Sequence, residues 1–269
     1  MRTWTAGLLV ASLLGTGTAY AQLAPFNDVG VTMGHWQIAS HDIQANKRIF
    51  LAMGGTPVPG GNEAVLFPGV RLNLTIRSGP GSGGTVGSVV NHVGFIVKNV
   101  QEQTARWKAH GVPVLPGNNG RLDQAFVVTP DGVRIEILED KTQPMPIRHE
   151  HVHFFFPESE IPKAQAWYAK TFGGEVGTRN NAPVVNIPGA QLRFGKADTP
   201  QAPTKGRVFD HIGFDVKDLQ AFVRKIEAEG IQLDEPIRET PAGLPLTFIT
   251  DPWGTRIELV EYQASRYPR

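Results

Sequence analysis

Short apolar segments alternate with amphipathic stretches along the chain, in an order that repeats four times. Each repeat opens with a histidine that begins a segment rich in β-branched and aromatic residues, and such segments predict strands. Self-similarity at a nearly constant period predicts that each repeat folds as one supersecondary unit. The opening histidines follow one another after 57, 59 and 60 residues, at His35, His92, His151 and His211.

A helix is predicted after each opening strand. In the fourth repeat Leu219, Phe222 and Ile226 recur at helical spacing, so that one apolar face can pack against the strands. Glycines at positions 54, 111, 173 and 230 predict the helix ends, because glycine readily adopts the left-handed turn found there. Seven residues after each opening histidine stands a residue that favours a helix N-terminus, namely Asp42, Asn99, Glu158 and Asp218.

The second halves of the repeats alternate between two types. Segments 130–136 and 252–258 share the pattern Pro-x-Gly-x-Arg-Ile-Glu, which predicts a turn followed by a strand. In the first and third repeats Asn73 and Arg193 stand at the glutamate position. This alternation predicts a duplicated two-repeat unit with a linker at 140–148. We therefore expect a first domain at residues 22–140, a second at 148–262 and a tail at 263–269.

Residues 1–21 have the pattern of a secretory signal peptide. A basic residue precedes an apolar run over residues 6–14, and Ala19-Tyr-Ala21 supplies the small residues of a cleavage site. A membrane anchor is the alternative, but the run is short for a membrane span and is followed by glycines. The sequence thus predicts Sec-type export with cleavage after Ala21, and a periplasmic or secreted mature chain.

Charge and composition exclude several classes of function. Lys and Arg number 26 against 25 Asp and Glu, for a net charge of +1, so no global field attracts nucleic acid or an anionic membrane. The chain has no cysteine, which excludes thiol catalysis and leaves histidine and carboxylates as the strong metal ligands. We expect a small-molecule substrate, no nucleic-acid or membrane partner, and leave a homo-oligomer open.

Four segments carry a specific family resemblance, namely Asn91–Val97, Ala166–Val176, Asp210–Val216 and Asp251–Leu259. Through them the chain resembles the vicinal oxygen chelate superfamily, which includes glyoxalase I, extradiol dioxygenases and the fosfomycin and bleomycin resistance proteins. The resemblance implies an α+β fold of four βαβββ modules, paired in sequence order as two open, barrel-like domains of eight strands each.

The resemblance also implies a divalent metal held by two histidines and a glutamate in each domain. Such a facial triad leaves coordination positions open for substrate and favours Fe(II), with Zn(II), Mn(II) and Ni(II) as alternatives. A buried, hydrogen-bonded histidine is the structural alternative at each position. The expected ligands are His35, His92 and Glu136 in the first domain, and His151, His211 and Glu258 in the second.

Other polar residues have predicted roles around these metals. Alternation along the third opening strand places His153 on the face of His151, where it could act as a base or a hydrogen-bond donor to substrate. Arg193 either lines the pocket and favours an anionic ligand or points outward to a surface acid. His149 is expected outside the strand, whereas His41 and His110 are expected at helix ends.

The sequence differs from the best-known enzymes of this superfamily at particular positions. Glyoxalase I enzymes carry a fourth ligand where Asn73 and Arg193 stand, and extradiol dioxygenases carry a tyrosine where Phe126 and Phe248 stand. We expect an exported, metal-dependent, dioxygenase-like enzyme acting on a small, oxygen-rich, anionic or aromatic molecule. The alternatives are a glyoxalase or isomerase-type lyase, a non-catalytic small-molecule binding protein, and a structural tandem domain.

Overall fold

The computed structural model describes residues 23–58, 63–76, 79, 81–241 and 243–262. The predicted signal peptide and tail lie outside these described residues. Within them the four repeats are present, and each begins with a strand that carries its opening histidine. The chain is an α+β protein with two open sheets of eight strands each. None of its described helices is long and apolar enough to cross a membrane.

Three helices begin where the sequence predicts. The side chains of Asp42, Asn99 and Asp218 each accept a hydrogen bond from a backbone N–H of the first turn, which satisfies donors that the helix leaves unpaired. Glu158 does not cap its helix, because it lies in a short 3-10 turn, Glu158–Glu160, before the third helix begins. The helices are α1 (Ile43–Ala52), α2 (Val100–Ala109), α3 (Ile161–Phe172) and α4 (Leu219–Ala228).

Each repeat contributes four strands. In the first two repeats these are β1 (Val31–Ala39), β2 (Thr56–Pro57), β3 (Ala64–Phe67), β4 (Val70–Thr75), β5 (Val90–Val97), β6 (Val114–Pro116), β7 (Gln124–Val128) and β8 (Arg134–Glu139). In the last two they are β9 (Ile147–Phe156), β10 (Glu175–Arg179), β11 (Ala182–Ile187), β12 (Ala190–Lys196), β13 (Phe209–Val216), β14 (Glu235–Glu239), β15 (Pro245–Thr250) and β16 (Arg256–Glu261).

The repeats pair differently from the prediction. One sheet has the strand order β14-β15-β16-β13-β1-β4-β3-β2, and the other has the order β10-β11-β12-β9-β5-β8-β7-β6. The first repeat therefore pairs with the fourth, and the second pairs with the third. The predicted pairing of neighbouring repeats into domains at 22–140 and 148–262 was wrong, although the strand and helix order within each repeat was right.

The lengths of the connecting segments account for this pairing. Only residues 140–146 separate β8 from β9, so the third repeat lies directly beside the second, and β9 pairs antiparallel with β5. The longer segments 76–89 and 197–208 carry the chain between the sheets. They run side by side, since the Val89 N–H donates to the Ala202 carbonyl oxygen at 2.9 Å. Short connections place consecutive elements together, and the first and fourth repeats then complete the other sheet.

The central strands of the two sheets pack against each other through aromatic side chains. Trp36 of β1 and Phe95 of β5 are both fully buried, with ring centroids 5.4 Å apart. His149 packs edge-on against both rings, and its Nδ1 lies 2.8 Å from the Gly189 carbonyl oxygen. The prediction that His149 lies outside the strand was wrong, because the bulky apolar neighbours of this core hold it inside β9.

Candidate metal centres

Three side chains of the first sheet converge in what we call the 1/4 site, after its two repeats. It consists of His35 of β1, His211 of β13 and Glu258 of β16, all buried. Both histidine Nε2 atoms lie 2.9 Å from Glu258 Oε2, and one ligand atom from each residue lies within 4.8 Å of the others. Two imidazoles and one carboxylate form the donor set of a facial metal triad.

Strand register and one glycine bring these groups together. β1 runs antiparallel to β13 with His35 opposite Gly213, and β16 runs parallel to β13 with Glu258 beside the same glycine. A Cβ atom at Gly213 would overlap the His35 ring. Glycine at this position is therefore what allows the ring to lie over the neighbouring strand, and Gly94 has the same relation to His151 in the second sheet.

A buried carboxylate orients His211 from behind. Asp210 Oδ1 lies 2.7 Å from His211 Nδ1, and Arg256 donates to the same oxygen at 3.0 Å. Burial would raise the pKa of Asp210, but its contacts with His211, with the Gly206 N–H and with Arg256 outweigh burial and lower it. Metal-bound histidines commonly donate their second N–H to a carboxylate in this manner.

The protonation of these groups suits a cation. Burial lowers the pKa of His35 to about 4, so this imidazole is neutral near pH 7. Burial would raise the pKa of Glu258, but the contacts of its carboxylate with His211 and His35 hold it well below its usual value. A neutral imidazole has a single N–H. When His211 donates its N–H to Asp210, its Nε2 lone pair faces the Glu258 carboxylate, and a shared cation would satisfy both.

A cavity of about 380 Å³ opens beside the 1/4 site. Its polar wall is formed by β1 and β4, where Gln37, Arg71 and Asn73 lie next to His35. Its apolar wall includes Leu244 and Leu246. The cavity thus places a buried guanidinium and amide groups on one side of the candidate ligands, and aliphatic side chains on the other.

A second cluster, which we call the 2/3 site, lies in the other sheet. It consists of His92 of β5, Glu136 of β8, and His151 and His153 of β9. Glu136 Oε2 lies 3.1 Å from His151 Nε2 and 3.5 Å from His92 Nε2. His153 Nδ1 lies 3.1 Å from His92 Nε2. One nitrogen from each of the three histidines lies within 4.8 Å of the others.

Two arginines and a second glutamate surround the 2/3 site. Glu150 Oε2 lies 2.5 Å from His151 Nδ1, and the carboxylate of Glu150 also accepts hydrogen bonds from Arg193 and Arg179. Burial would raise the pKa of Glu150, but His151 and the two arginines lower it to about 2. Arg193 Nη1 is also 3.8 Å from Glu136 Oε2, so the charge of the guanidinium is shared between two carboxylates.

All six predicted metal ligands lie in one of the two clusters, but in combinations that differ from the prediction. His35 lies with His211 and Glu258, and His92 lies with His151 and Glu136, so the predicted combinations were wrong because the repeats pair differently. His153 shares the face of His151, as predicted, but belongs to the 2/3 site. Arg193 also points into that site and is 8% exposed, which excludes the outward orientation.

The remaining predicted histidines lie at helix ends. His110 follows α2, and its Nδ1 lies 2.9 Å from the Arg106 carbonyl oxygen. His41 precedes α1, and its Nδ1 lies 2.8 Å from Asp131 Oδ1. Both positions confirm the prediction that these histidines lie at helix ends.

Sequence reasoning missed the groups that orient the ligands. Asp210 and Glu150 each directly precede a ligand histidine in the chain, and this adjacency was the available signal. Gln124 donates to Glu136 Oε1. Nothing in the sequence marked Gln124 as part of the site, because several strands share the same alternating pattern of apolar and polar residues. The spacing His-x-Gly in the second and fourth repeats was visible, but only the structure relates each glycine to a histidine of another repeat.

Comparison with known proteins agrees with this fold. Residues 150–259 match the family model of the Glyoxalase/Bleomycin resistance protein/Dioxygenase superfamily. Glyoxalase I from Zea mays is similar in structure, with 15% identity, a TM-score of 0.67, and coverage of 86% of this chain and 92% of that one. A proposed dioxygenase from Bacillus subtilis has 16% identity, a TM-score of 0.62, and coverage of 90% and 86%. None of the curated proteins searched gives a significant match.

These likenesses have different weight. At such low identity the two solved structures establish a shared fold, whereas the family match rests on the sequence of the third and fourth repeats. Residues 150–259, which form the third and fourth repeats, therefore match the Glyoxalase/Bleomycin resistance protein/Dioxygenase superfamily in sequence, and the chain shares its fold with the two solved structures.

Proposed function

We propose that this protein is a metal-dependent enzyme of the vicinal oxygen chelate type, with its active centre at the 1/4 site. The observation that carries the proposal is the convergence of His35, His211 and Glu258 beside a cavity. A bound divalent metal would act there as a Lewis acid toward two neighbouring substrate oxygens. Fe(II) is the favoured ion, because the donor set is that of a facial triad.

The residues of the chain would hold and orient the substrate. Arg71 lies in the cavity wall in register with His35, so its guanidinium favours a carboxylate, enolate or phenolate. Asn73 lies in register with Gln37, and both amides could donate to substrate oxygens. The aliphatic wall excludes water from the apolar part of a ligand. These features favour a small molecule with an anionic, oxygen-rich end and an apolar body.

The dioxygenase-like assignment comes from the resemblance and from the open positions of a two-histidine, one-glutamate set. A glyoxalase-type centre would add a fourth protein ligand, and Asn73 lacks the carboxylate for that role. Phe248 stands beside His211, with ring centroids 5.1 Å apart, so an apolar ring occupies the place of an extradiol tyrosine. The cavity therefore orients substrate mainly by hydrogen bonds and charge.

A binding protein is the second candidate, and one observation favours it. Among the described residues that line the cavity, His35 is the sole imidazole and no tyrosine is present. Acid–base catalysis usually uses a positioned group of this kind. A protein that binds or sequesters its ligand needs the cavity but no proton-transfer residue.

The test uses purified protein loaded anaerobically with Fe(II), or with Mn(II) as a stable probe. Binding of a 2-hydroxy acid, a 1,2-dione and a catechol is measured by calorimetry, oxygen uptake with an electrode, and conversion by proton NMR. Binding and turnover that are both lost in His211→Ala, but retained in Glu136→Gln of the other site, support the enzyme. Binding without conversion of any probe, with or without metal, supports the second candidate, and conversion that does not depend on metal contradicts the proposed enzyme.

We also propose that the chain is exported. The support is the predicted signal peptide, with its A-x-A cleavage site after Ala21. Expression of the full chain in a Gram-negative host should give a periplasmic protein that begins at Gln22, measured by N-terminal sequencing. A cytoplasmic product that retains residues 1–21 would contradict export.

A further inference from the structure

We propose that the 2/3 site is a second, chemically different metal site, in which His153 is an additional ligand beside His92, His151 and Glu136. Three imidazoles would make it a nitrogen-rich site that favours Zn(II). This inference concerns a different sheet from the proposed active centre. It therefore stands or fails independently of the proposed enzyme activity.

The position of His153 is the first support. Its Nδ1 and the Nε2 of His92 lie 3.1 Å apart, and two ring nitrogens at this distance either share one proton or direct their lone pairs to a common cation. Ligands in a tetrahedral zinc site, at about 2.0–2.1 Å from the ion, lie roughly 3.3 Å from one another. The separations of 3.1 and 3.5 Å from Glu136 Oε2 to the other two rings fit the same geometry.

His151 supplies an independent support. Its side chain is fully buried, and its Nε2 atom has no hydrogen-bond partner among the described residues. The Glu136 carboxylate is near this atom but is not aligned for a hydrogen bond. With Nδ1–H donated to Glu150, the Nε2 lone pair points toward the centre of the cluster. An unpaired buried nitrogen is costly, and a metal ion would satisfy it.

The surrounding charges explain why zinc is favoured over a harder ion. Arg193 and Arg179 bind Glu150, and Arg193 also approaches Glu136. Two glutamates and two arginines leave this cluster with no net charge before a metal binds. Mn(II) and Mg(II) prefer oxygen donors, whereas imidazole suits Zn(II), Ni(II) and Cu(II). A neutral, imidazole-rich ligand set therefore selects among metal ions by the strength of the metal–nitrogen bond.

The 1/4 site provides the matched reference. His153 is in register with Arg193 on the neighbouring strand, and the corresponding residue of the first repeat, Gln37, is in register with Asn73. Gln37 donates to Thr75 Oγ1 at 2.6 Å and is an amide, which is a poor zinc ligand. The two sites thus differ by one imidazole at one position of the repeat.

The experiment titrates the metal-free full chain with Zn(II) and, separately, with Co(II), whose visible absorption distinguishes four-coordinate from six-coordinate sites. We compare the wild-type protein, His153→Gln and the matched control Gln37→Ala. The expected result is a four-coordinate Co(II) signal that is lost in His153→Gln and retained in Gln37→Ala. Zinc affinity at one site should fall at least tenfold in His153→Gln alone.

Two outcomes would overturn the inference. One is an unchanged pair of zinc affinities in His153→Gln, with the same melting temperature as the wild type. The other is a four-coordinate signal that disappears in Glu258→Gln but persists in Glu136→Gln. A further variant, Gln37→His, guards against a folding defect as the cause of a lost signal in His153→Gln. It should strengthen zinc binding at the 1/4 site, and failure to do so in a folded protein also counts against the role of a third imidazole.

Discussion

The 1/4 and 2/3 sites are built on equivalent strands, with two histidines and a glutamate at equivalent positions of the repeats, yet they place positive charge differently. In the 1/4 site Arg71 Nε donates to Asn73 Oδ1 at 3.0 Å, and in the 2/3 site Arg193 Nε donates to Gln191 Oε1 at 2.9 Å. The arginine and the amide have exchanged positions along the strand. The guanidinium therefore lines a cavity in one site and lies next to a ligand glutamate in the other.

In each site a carboxylate orients one of the two ligand histidines, but the oriented histidine is not the equivalent one in the two sites. Asp210 holds His211 in the 1/4 site, whereas the corresponding His92 has the neutral Asn91 at 2.9 Å. Glu150 holds His151 in the 2/3 site, whereas Nδ1 of His35 has no partner among the described residues. A repeated backbone thus fixes where the ligands lie, and a few neighbouring residues decide what each site can bind.

The largest expected effect comes from the two glycines on which ligand rings lie, Gly213 under His35 and Gly94 under His151. Gly213→Ala places a Cβ inside the His35 ring, so metal binding at the 1/4 site should fall more than a hundredfold. Overpacking should also lower the free energy of unfolding by about 1–3 kcal/mol. Calorimetric metal titration and urea unfolding measure the two effects.

Gly94→Ala is the matched variant, because its Cβ would overlap the His151 ring. It should disable the 2/3 site and leave the 1/4 site intact. If either alanine weakened both sites equally, the two clusters would not be the independent units that this fold implies.

The next effect concerns the orienting carboxylate. Asp210→Asn removes the charge behind His211, and loss of such a group typically weakens metal binding about 10–100-fold. The reciprocal Asn91→Asp introduces a carboxylate behind His92 and should strengthen the 2/3 site. Metal affinities of both variants, each measured against the unaltered site in the same protein, check the prediction. Equal affinities for Asp210→Asn and wild type would show that Asp210 has no orienting role.

A smaller effect distinguishes the two arginines. Arg71→Gln should weaken binding of a carboxylate ligand to the metal-loaded protein about tenfold, as one charge-assisted hydrogen bond of roughly 1.5–3 kcal/mol would be lost. A neutral 1,2-dione should bind unchanged. Arg193→Gln should leave both affinities unaltered, because its guanidinium is held by Glu150. A loss of carboxylate binding in Arg193→Gln but not in Arg71→Gln would place the substrate at the 2/3 site instead.

The effect that is smallest at neutral pH is the dependence of stability on acid, which comes from a core histidine outside both sites and grows only as the pH falls. Burial lowers the pKa of His149 to about 3, below the value of about 6.5 in an unfolded chain. The unfolded state then binds more protons between these values, so stability is complete above pH 6.5 and falls as the pH decreases toward 3, by up to about 1.4 kcal/mol per pH unit. Urea unfolding of His149→Phe should show a shallower decline than the wild type, and parallel curves would refute the assignment.

Much of each repeat was predictable, because its determinants are local. The caps at Asp42, Asn99 and Asp218 and the helical apolar spacing need only neighbouring residues, and the structure confirms them. Glu158 failed as a cap because Pro157, just after the preceding strand, leads into the 3-10 turn Glu158–Glu160, and α3 starts only at Ile161.

The pairing of repeats was not predictable from the same signals. Similar sequences identify four equivalent modules but do not say which module edges form hydrogen bonds with one another. The short connection between β8 and β9 indicated that neighbouring repeats two and three would pair, yet the alternating pattern favoured the other grouping. Every site assignment that depended on which repeats pair, including those of His153 and Arg193, changed with the observed pairing.

The most direct test of this account is the metal content of a double variant, measured by elemental analysis after saturation and desalting. His35→Ala/Glu258→Gln alters one site if the first repeat pairs with the fourth, but two sites if neighbouring repeats pair. The account predicts that this protein retains one metal per chain, while the wild type holds two. Complete loss of metal from a protein that still unfolds cooperatively would contradict it.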